Sequence, residues 1–198
     1  MRDWQDIEGG DLLGPYRRRR LPNGLTVNLF SQPNLSHIAI DLSYAAGSKE
    51  DPVGRSGTAH LLEHMMFEGS AHIRGTVGRP LERSGARINA ATGYDRTRYW
   101  SVLPPGCLPG LLWLEAERMS NLQRGLQEES FRLQREIALR ERSENYDERP
   151  LGLLPELINQ FAFGVDHAYS RPIIGVRDDI QQISMHDISQ FYEDYYHP

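Results

Sequence analysis

The sequence feature that most constrains the fold is a segment in which ionisable side chains stand among apolar ones. Residues 59–67 read AHLLEHMMF, so His60, Glu63 and His64 have almost entirely apolar neighbours. At about 100° per residue, these three side chains fall on one narrow arc of a helix. The rest of the helical surface is apolar, which predicts a buried helix. Three ionisable groups are unfavourable there unless they pair or bind an ion.

The order His-x-x-Glu-His is one solution to that problem. Two histidines one turn apart with a glutamate beside them are typical of zinc hydrolases, here in the inverted order. The ordinary alternative is that a histidine on an apolar face is a hydrogen-bonded core residue, and this pentapeptide alone also arises by chance. A third ligand in a suitable place distinguishes the two.

A candidate third ligand lies in the charged segment 128–148, which has helical spacing. Glu141 is on one face of this segment, and 76 residues separate it from His64. A catalytic zinc site keeps three protein ligands and one open position for water. His60, His64 and Glu141 would satisfy that rule and would leave Glu63 free to act as a general base.

With this ligand set, the sequence resembles the M16 metallopeptidases, the family of pitrilysin, insulin-degrading enzyme and mitochondrial processing peptidase. The resemblance runs from about Leu21 to Pro198. Several motifs carry it in the right order: Gly57–Gly69, Gly85–Thr92, Leu139–Arg142, Tyr146–Pro150 and Phe191–Pro198. The third and fourth of these together resemble the bacterial zinc-protease branch. Spaced motifs of this kind are more specific than a single pentapeptide.

The resemblance implies a zinc-dependent endopeptidase that cuts short or unfolded polypeptides. Zn²⁺ held by His60, His64 and Glu141 would lower the pKa of its bound water. Glu63 would take the proton during attack on a peptide carbonyl and return it to the leaving amine. Gln134 stands where many members carry a second acidic residue. Its amide can hydrogen-bond a ligand but adds no negative charge, and the bacterial branch also has Gln there.

The resemblance also implies a substrate-binding strand that contains Asn89, Ala90 and Ala91. The first two are expected to offer hydrogen bonds from a sheet edge to an extended peptide. The small Ala91 is expected to line a roomy subsite. From spacing alone, Asn89 would instead be interpreted as a turn or strand-end residue.

Other candidates have weaker patterns. The aromatic residues Tyr94, Tyr99 and Trp100 could stack on a substrate, but alternating aromatics in a strand are usually core. Three glutamates could brace the ligands, although a solvated helix face is the preferred interpretation: Glu115, Glu117 and Glu144. The other histidines lack a partner at ligand spacing and are expected to be structural, with one of them in a turn: His37, His72, His186, His197 and the turn residue His167.

Composition excludes several classes of function. A chain of 198 residues suits one domain with a real core. The net charge of −5 gives no basic field for nucleic acid. No stretch approaches the roughly 20 apolar residues of a membrane span. The N-terminus lacks the apolar core of a signal peptide, which predicts a cytoplasmic protein if Met1 is the true start. Cys107 stands alone, so no internal disulfide is expected.

The predicted fold class is α+β, with an antiparallel or mixed β-sheet and helices mainly on one face, as in the LuxS-like metallohydrolase fold of M16 domains. Residues 1–20 are predicted to be an N-terminal arm and residues 21–198 the catalytic domain. The expected strand pairs join 21–30 to 37–44 and 86–92 to 97–103. The motif helix is expected between its flanks Gly57 and Gly69, a short helix at about 80–84, and further helices at 111–122, 128–148, 151–163 and 185–196.

The resemblance further implies that the chain stops before the final strand of its domain. In the family, a second, similar domain follows and contributes an Arg and a Tyr that contact the substrate. A second M16-like domain or subunit is therefore an expected partner, together with the peptide substrate.

Two other functions stay open. One is a non-catalytic or partner-dependent subunit, since some members of the family have lost the motif. The other is a structural zinc module without turnover, but such sites usually have four ligands and are rich in Cys. The intact His60, Glu63, His64 and Glu141 favour the peptidase.

Overall fold

The computed structural model describes residues 4–9, 14–73 and 75–198. The fold is α+β, as predicted. The chain divides into a small unit, formed by the residues up to Ser36 together with Pro198, and a large unit, His37–His197. The residues of the candidate site all lie in the large unit.

The small unit contains a three-stranded antiparallel sheet in the order β1-β2-β3. Its strands are β1 (Gln5–Ile7), β2 (Tyr16–Arg20) and β3 (Thr26–Leu29). The first two fall within the predicted arm, where the sequence pattern indicates no strand. The arginine-rich β2 is the central strand because it finds partners on both sides, and Arg18 also donates to Asn28 Oδ1 at 2.8 Å. The arm boundary itself stays a prediction, and residues 1–3 and 10–13 of the arm lie outside the described residues.

The large unit contains a second antiparallel sheet in the order β4-β6-β5. Its strands are β4 (Ile38–Tyr44), β5 (Arg87–Thr92) and β6 (Thr97–Leu103). The predicted pairing of β5 with β6 is confirmed, with Asn89 opposite Trp100. The predicted pairing of 37–44 with 21–30 is wrong, since β4 pairs with β6 over seven residues. The alternating, half-buried pattern of β6 offers a longer partner than the four-residue β3.

The part of the chain that the structure describes contains seven α-helices, and each of them except the one at Arg177–Gln182 overlaps a predicted helix. They are α1 (Thr58–Met65), α2 (Arg79–Glu82), α3 (Leu108–Gly125), α4 (Glu128–Arg142), α5 (Leu154–Phe163), α6 (Arg177–Gln182) and α7 (Met185–Tyr195). α4 ends in a π-helical turn, Ser143–Asp147. No helix in the described ranges is both long and apolar enough to span a bilayer.

The main core surrounds α1. Ala59, Leu61, Leu62 and Met65 of this helix are fully buried, as its composition predicts. α1 packs against α4, α7 and the edge strand β5. Burying each large apolar side chain contributes roughly 1.5–3 kcal/mol, so α1 is fixed by its apolar faces. Tyr99 belongs to the same core, as expected for an aromatic residue on a central strand.

Candidate metal centre

The start of α1 is fixed by a buried carboxylate. Asp51 accepts hydrogen bonds from the backbone N–H groups of Gly57 at 2.7 Å and Ala59 at 2.8 Å. These are among the N–H groups that a helix leaves without internal partners, and an acid is favourable there. Gly57 has φ of 95°, and a Cβ on it would lie 2.6 Å from the carbonyl oxygen of Ile174. Burial raises the pKa of Asp51 to about 7.

Three side chains converge between α1 and α4: His60 and His64 from α1, and Glu141 from α4. His64 Nε2 lies 3.5 Å from Glu141 Oε2, and His60 Nε2 lies 3.8 Å from the same oxygen. Ligand atoms at tetrahedral angles and ordinary zinc distances stand about 3.3 Å apart. All three ligand atoms lie within 4.8 Å of one another, so the residues fit a zinc ion if they move closer together on binding it. Within the described ranges, this is the one cluster of His, Cys, Asp or Glu with metal-ligand spacing.

The protonation of His60 suits metal binding. Burial, helped by the nearby His64, lowers its pKa to about 3. The imidazole is therefore neutral and carries a lone pair at neutral pH. Its Nδ1 is buried and has no hydrogen-bond partner among the residues that the structure describes.

His64 is oriented by Gln134. Gln134 Oε1 lies 3.1 Å from His64 Nδ1, and Gln134 Nε2 donates to Glu68 Oε1 at 2.6 Å. Because the Glu68 carboxylate can only accept, it fixes which end of the amide faces His64. The proton of His64 is thereby assigned to Nδ1, and its Nε2 lone pair points to the Glu141 side.

Glu63 is held beside the cluster but outside it. Thr92 on β5 donates a short hydrogen bond from Oγ1 to Glu63 Oε2. Burial raises the pKa of Glu63, while the Thr92 hydrogen bond acts in the opposite direction. A carboxylate with a raised pKa, fixed next to candidate ligands, is suited to proton transfer.

A cavity of about 840 Å³ opens onto these groups. Its lining includes His60, Glu63 and Glu141. On one side, β5 contributes Ala90, Ala91 and Thr92; the remaining lining residues are Asn145, Tyr146, Arg149, Pro150, Leu151, Gly152, Pro155, Ile173 and Ile174.

The predicted substrate strand therefore reaches the cavity, but its residues differ in placement. Ala90 and Ala91 line the cavity, whereas Asn89 is not among the lining residues. The side chain of Asn89 instead turns back, and its Oδ1 accepts the backbone N–H of Ala90 at 2.9 Å. β5 is an edge strand of its sheet, so this N–H is the kind of donor that a substrate strand would use.

Two of the three glutamates that were expected on a solvated helix face are buried. Glu115 is buried and accepts two hydrogen bonds from the Arg118 guanidinium, and Glu117 is buried against Ser70 Oγ at 2.6 Å. Neither contacts a candidate ligand. The expectation of solvation was wrong for Glu115 and Glu117 because α3 contributes side chains to two hydrophobic clusters. The i, i+3 spacing of Glu115 and Arg118 was the available signal. Glu144 is exposed, as predicted.

The remaining candidates are structural. His167 begins a short turn and accepts the N–H of Tyr169, as predicted for a turn residue. His72 does have a partner, since its Nδ1 lies 2.9 Å from Glu117 Oε1. Tyr94 stacks on Tyr169. Sequence reasoning missed the supporting residues Asp51, Glu68 and Thr92, whose roles depend on contacts distant along the chain.

Comparisons with known proteins agree with this geometry. The family model described as insulinase, Peptidase family M16, matches residues 26–175. The chain is 35% identical to the zinc protease PqqE of Helicobacter pylori over 180 residues, which is 90% of this chain and 40% of that protein. It is 28% identical to the β subunit of the mitochondrial-processing peptidase of Saccharomyces cerevisiae, over 88% of this chain and 37% of that subunit.

Solved structures give the same result. A protease from Helicobacter pylori superimposes with a TM-score of 0.86 and 33% identity, over 92% of this chain and 44% of that one. Pitrilysin shares the fold, with a TM-score of 0.80 at 24% identity, over 98% of this chain and 21% of that one. The chain thus spans less than half the length of these proteins. The family match covers most of the sequence, and the chain belongs to Peptidase family M16.

Proposed function

We propose that this chain carries the zinc-binding and catalytic half of an endopeptidase site. The observation that carries the proposal is the convergence of His60 Nε2, His64 Nε2 and Glu141 Oε2, with Glu63 fixed next to them. The zinc proteases among its relatives support the choice of metal. The open cavity favours a catalytic site over a closed structural one.

In this proposal His60, His64 and Glu141 hold the ion. When bound, zinc polarises a peptide carbonyl and makes water acidic near neutral pH. Glu63 accepts the proton of the attacking water and passes it to the leaving amine. Thr92 keeps one carboxylate oxygen of Glu63 occupied, which leaves the other oxygen for the proton. Gln134 keeps His64 in the ligating tautomer.

The proposed substrate is an extended segment of a short or unfolded polypeptide. It would add to the edge of β5 by main-chain hydrogen bonds, next to Ala90 and Ala91. For the Ala90 N–H to take part, the side chain of Asn89 must first rotate away. The methyl group of Ala91 leaves room for a substrate side chain in the cavity.

A second M16-like domain or subunit is the proposed partner. The chain corresponds to about 40% of PqqE, which supports a larger complete assembly. α5 also exposes a group of apolar side chains: Leu157, Ile158 and Phe161, the last of them 95% exposed. Exposed apolar patches of this kind mark interaction surfaces. The assignment of residues 21–198 as the catalytic domain belongs to the same proposal.

Partner dependence is the alternative form of this function. The chain would then hold zinc but require the second domain for turnover. Cytoplasmic residence stays a prediction from the sequence. The names of similar proteins include other compartments: a mitochondrial-processing peptidase and the periplasmic protease PqqL.

The decisive experiment combines metal content with peptide cleavage. Elemental analysis should find about one zinc per chain, lost in His60→Ala and Glu141→Gln, as three-ligand geometry requires. Glu136→Gln is a matched control, since Glu136 is exposed on the same helix α4 and should not affect zinc. Glu63→Gln should retain zinc and lose cleavage of an unstructured peptide by about 10²–10⁴-fold.

Two results would count against the proposal, and a third would select between its two forms. Absence of zinc after incubation with excess metal would exclude the centre. Normal cleavage by Glu63→Gln would exclude Glu63 as the base. If the chain binds zinc but does not cleave the peptide, and adding a second M16-like domain restores cleavage, the partner-dependent form is selected.

A further inference from the structure

The cavity wall formed by the segment after α4 has an irregular backbone. The π-helical turn Ser143–Asp147 is followed by Leu151, a non-glycine residue with a φ of 60°. Leu151 is 80% exposed. No other non-glycine residue in the described ranges has a positive φ. Gly152 packs so closely that a Cβ would lie 2.2 Å from the carbonyl oxygen of Tyr146. π-Helical turns and such backbone outliers are frequent at functional sites.

A buried arginine holds this wall in place. The side chain of Arg142 is 6% exposed and donates to Asp147 at 2.8 Å, to the carboxylate of Glu156 on α5, and to the carbonyl of Gly175 at 3.3 Å. Its charge is therefore fully used inside the fold. The wall is consequently fixed by ion pairs before any ligand arrives.

The wall presents a second arginine to the cavity. Arg149 is exposed, lines the cavity, and is the one Lys or Arg among the described lining residues. Unlike Arg142, its side chain has no hydrogen bond or ion pair in the part of the chain that the structure describes. Pro150 follows it and restricts Arg149 to extended backbone, and the N–H of Gly152 closes the turn on the Arg149 carbonyl at 2.9 Å.

The other charges of the cavity are negative. Glu63 and Glu141 line it together with His60. Neither carboxylate forms an ion pair with Arg149 within the described ranges. Among the lining side chains, Arg149 is the cation available to a peptide carboxylate, and its planar guanidinium matches a carboxylate with two parallel hydrogen bonds.

We propose that Arg149 is a specificity residue that binds a carboxylate of the peptide substrate. This proposal rests on the proposed function of the site. The carboxylate can come from an Asp or Glu side chain near the bond that is cut, or from the C-terminus of a short peptide. Arg149 does not take part in the proton transfer.

The test measures peptide binding without turnover. The zinc-loaded Glu63→Gln chain is titrated with fluorescently labelled, unstructured peptides that contain one Glu or one Gln, each with a free or an amidated C-terminus. The carboxylate-containing peptide should bind about tenfold more tightly than its neutral counterpart. Adding Arg149→Gln should remove the preference, Arg149→Lys should keep part of it, and Arg149→Glu should reverse it.

A matched control removes the same charge elsewhere. Arg124 is exposed near the end of α3 and does not line the cavity, so Arg124→Gln should keep the preference. Sensitivity to Glu→Gln identifies the side chain as the source, and sensitivity to amidation identifies the C-terminus. Equal affinity for all four peptides, no binding at all, or a preference that survives Arg149→Gln would overturn the proposal. Cleavage of neutral peptides by the unmodified chain tests the proposed function separately.

Discussion

Two clusters of ionisable groups differ in burial and in their balance of donors and acceptors: Glu115 and Arg118 are buried, whereas the Glu141 side chain beside His60 and His64 is 39% exposed. On α3, Arg118 is 1% exposed, and its guanidinium meets both carboxylate oxygens of Glu115 at 2.5 and 2.6 Å. Between α1 and α4, the neutral His60 and the Nε2 lone pair of His64 both face a Glu141 oxygen. The first cluster pairs a donor with acceptors, whereas the second brings together two imidazole nitrogens and a carboxylate oxygen, each able to supply a lone pair to a cation.

The difference shows how buried polar groups indicate their use. In a closed pair such as Glu115–Arg118 the two charges neutralise each other, so no added ion is needed, although Arg118 Nε has no hydrogen-bond partner among the described residues. A cluster of acceptors is unfavourable until a cation joins it. Charge alone does not distinguish the two, but the balance of donors and acceptors does.

The largest expected effect is on the closed pair. Glu115→Gln leaves the Arg118 charge buried without compensation, which should lower the free energy of unfolding by about 3–5 kcal/mol. Urea denaturation measures this, with Glu136→Gln as the control on an exposed site. If Glu115→Gln also removed zinc from the folded chain, the two clusters would not be separate.

The candidate ligands His60, His64 and Glu141 should instead gain stability when an ion is added. Zinc at about 1,000 times its dissociation constant should stabilise the chain by about 4 kcal/mol, because the unfolded chain lacks the site. Thermal melts with and without a chelator measure the change. His60→Ala should melt at the same temperature in both conditions, and a chelator-sensitive His60→Ala would show that zinc binds elsewhere.

The buried acid Asp51 should make the free energy of unfolding depend on pH. Its folded pKa of about 7 lies above the unfolded value of about 3.9. The folded state therefore holds the proton more tightly, and the stability is full below about pH 4 and decreases as pH rises towards 7. Relative to Asp51→Asn, the chain should lose up to about 1.4 kcal/mol per pH unit in this window. Parallel unfolding curves at all pH values would contradict the assignment.

The smallest effect concerns the orientation of Glu63. Thr92→Val keeps the side-chain shape but removes one hydrogen bond, worth about 0.5–1.5 kcal/mol. Because this bond opposes the effect of burial on the pKa of Glu63, its loss should raise that pKa further. The acidic limb of the kcat/KM profile should then move to higher pH. An unchanged profile would mean that Thr92 does not influence the base.

Local periodicity predicted much of the site, because His60, Glu63 and His64 share a helix whose apolar faces are readable from the sequence. Glu141 followed from a second helical segment. The supports were not predictable in the same way. Asp51 caps α1 through a loop, and Thr92 reaches Glu63 from a strand, so both depend on how distant segments pack.

The errors have the same origin. The sequence pattern predicts strands at 21–30 and 37–44 but does not determine which strands pair. In the structure β4 pairs with the longer strand β6. Glu115 and Glu117 look solvated in a charged helix, and only the three-dimensional packing of α3 reveals their burial.

At the edge of β5, the Asn89 amide already occupies the Ala90 N–H. Open sheet edges recruit strands from other molecules, which is a route to aggregation. An acceptor tethered one residue away competes at a high effective concentration. A strand that offers only backbone groups would have to compete with this amide for the Ala90 N–H. Under the proposed function, a peptide that also fills the cavity would displace the amide, so the same side chain would protect the edge until substrate binds.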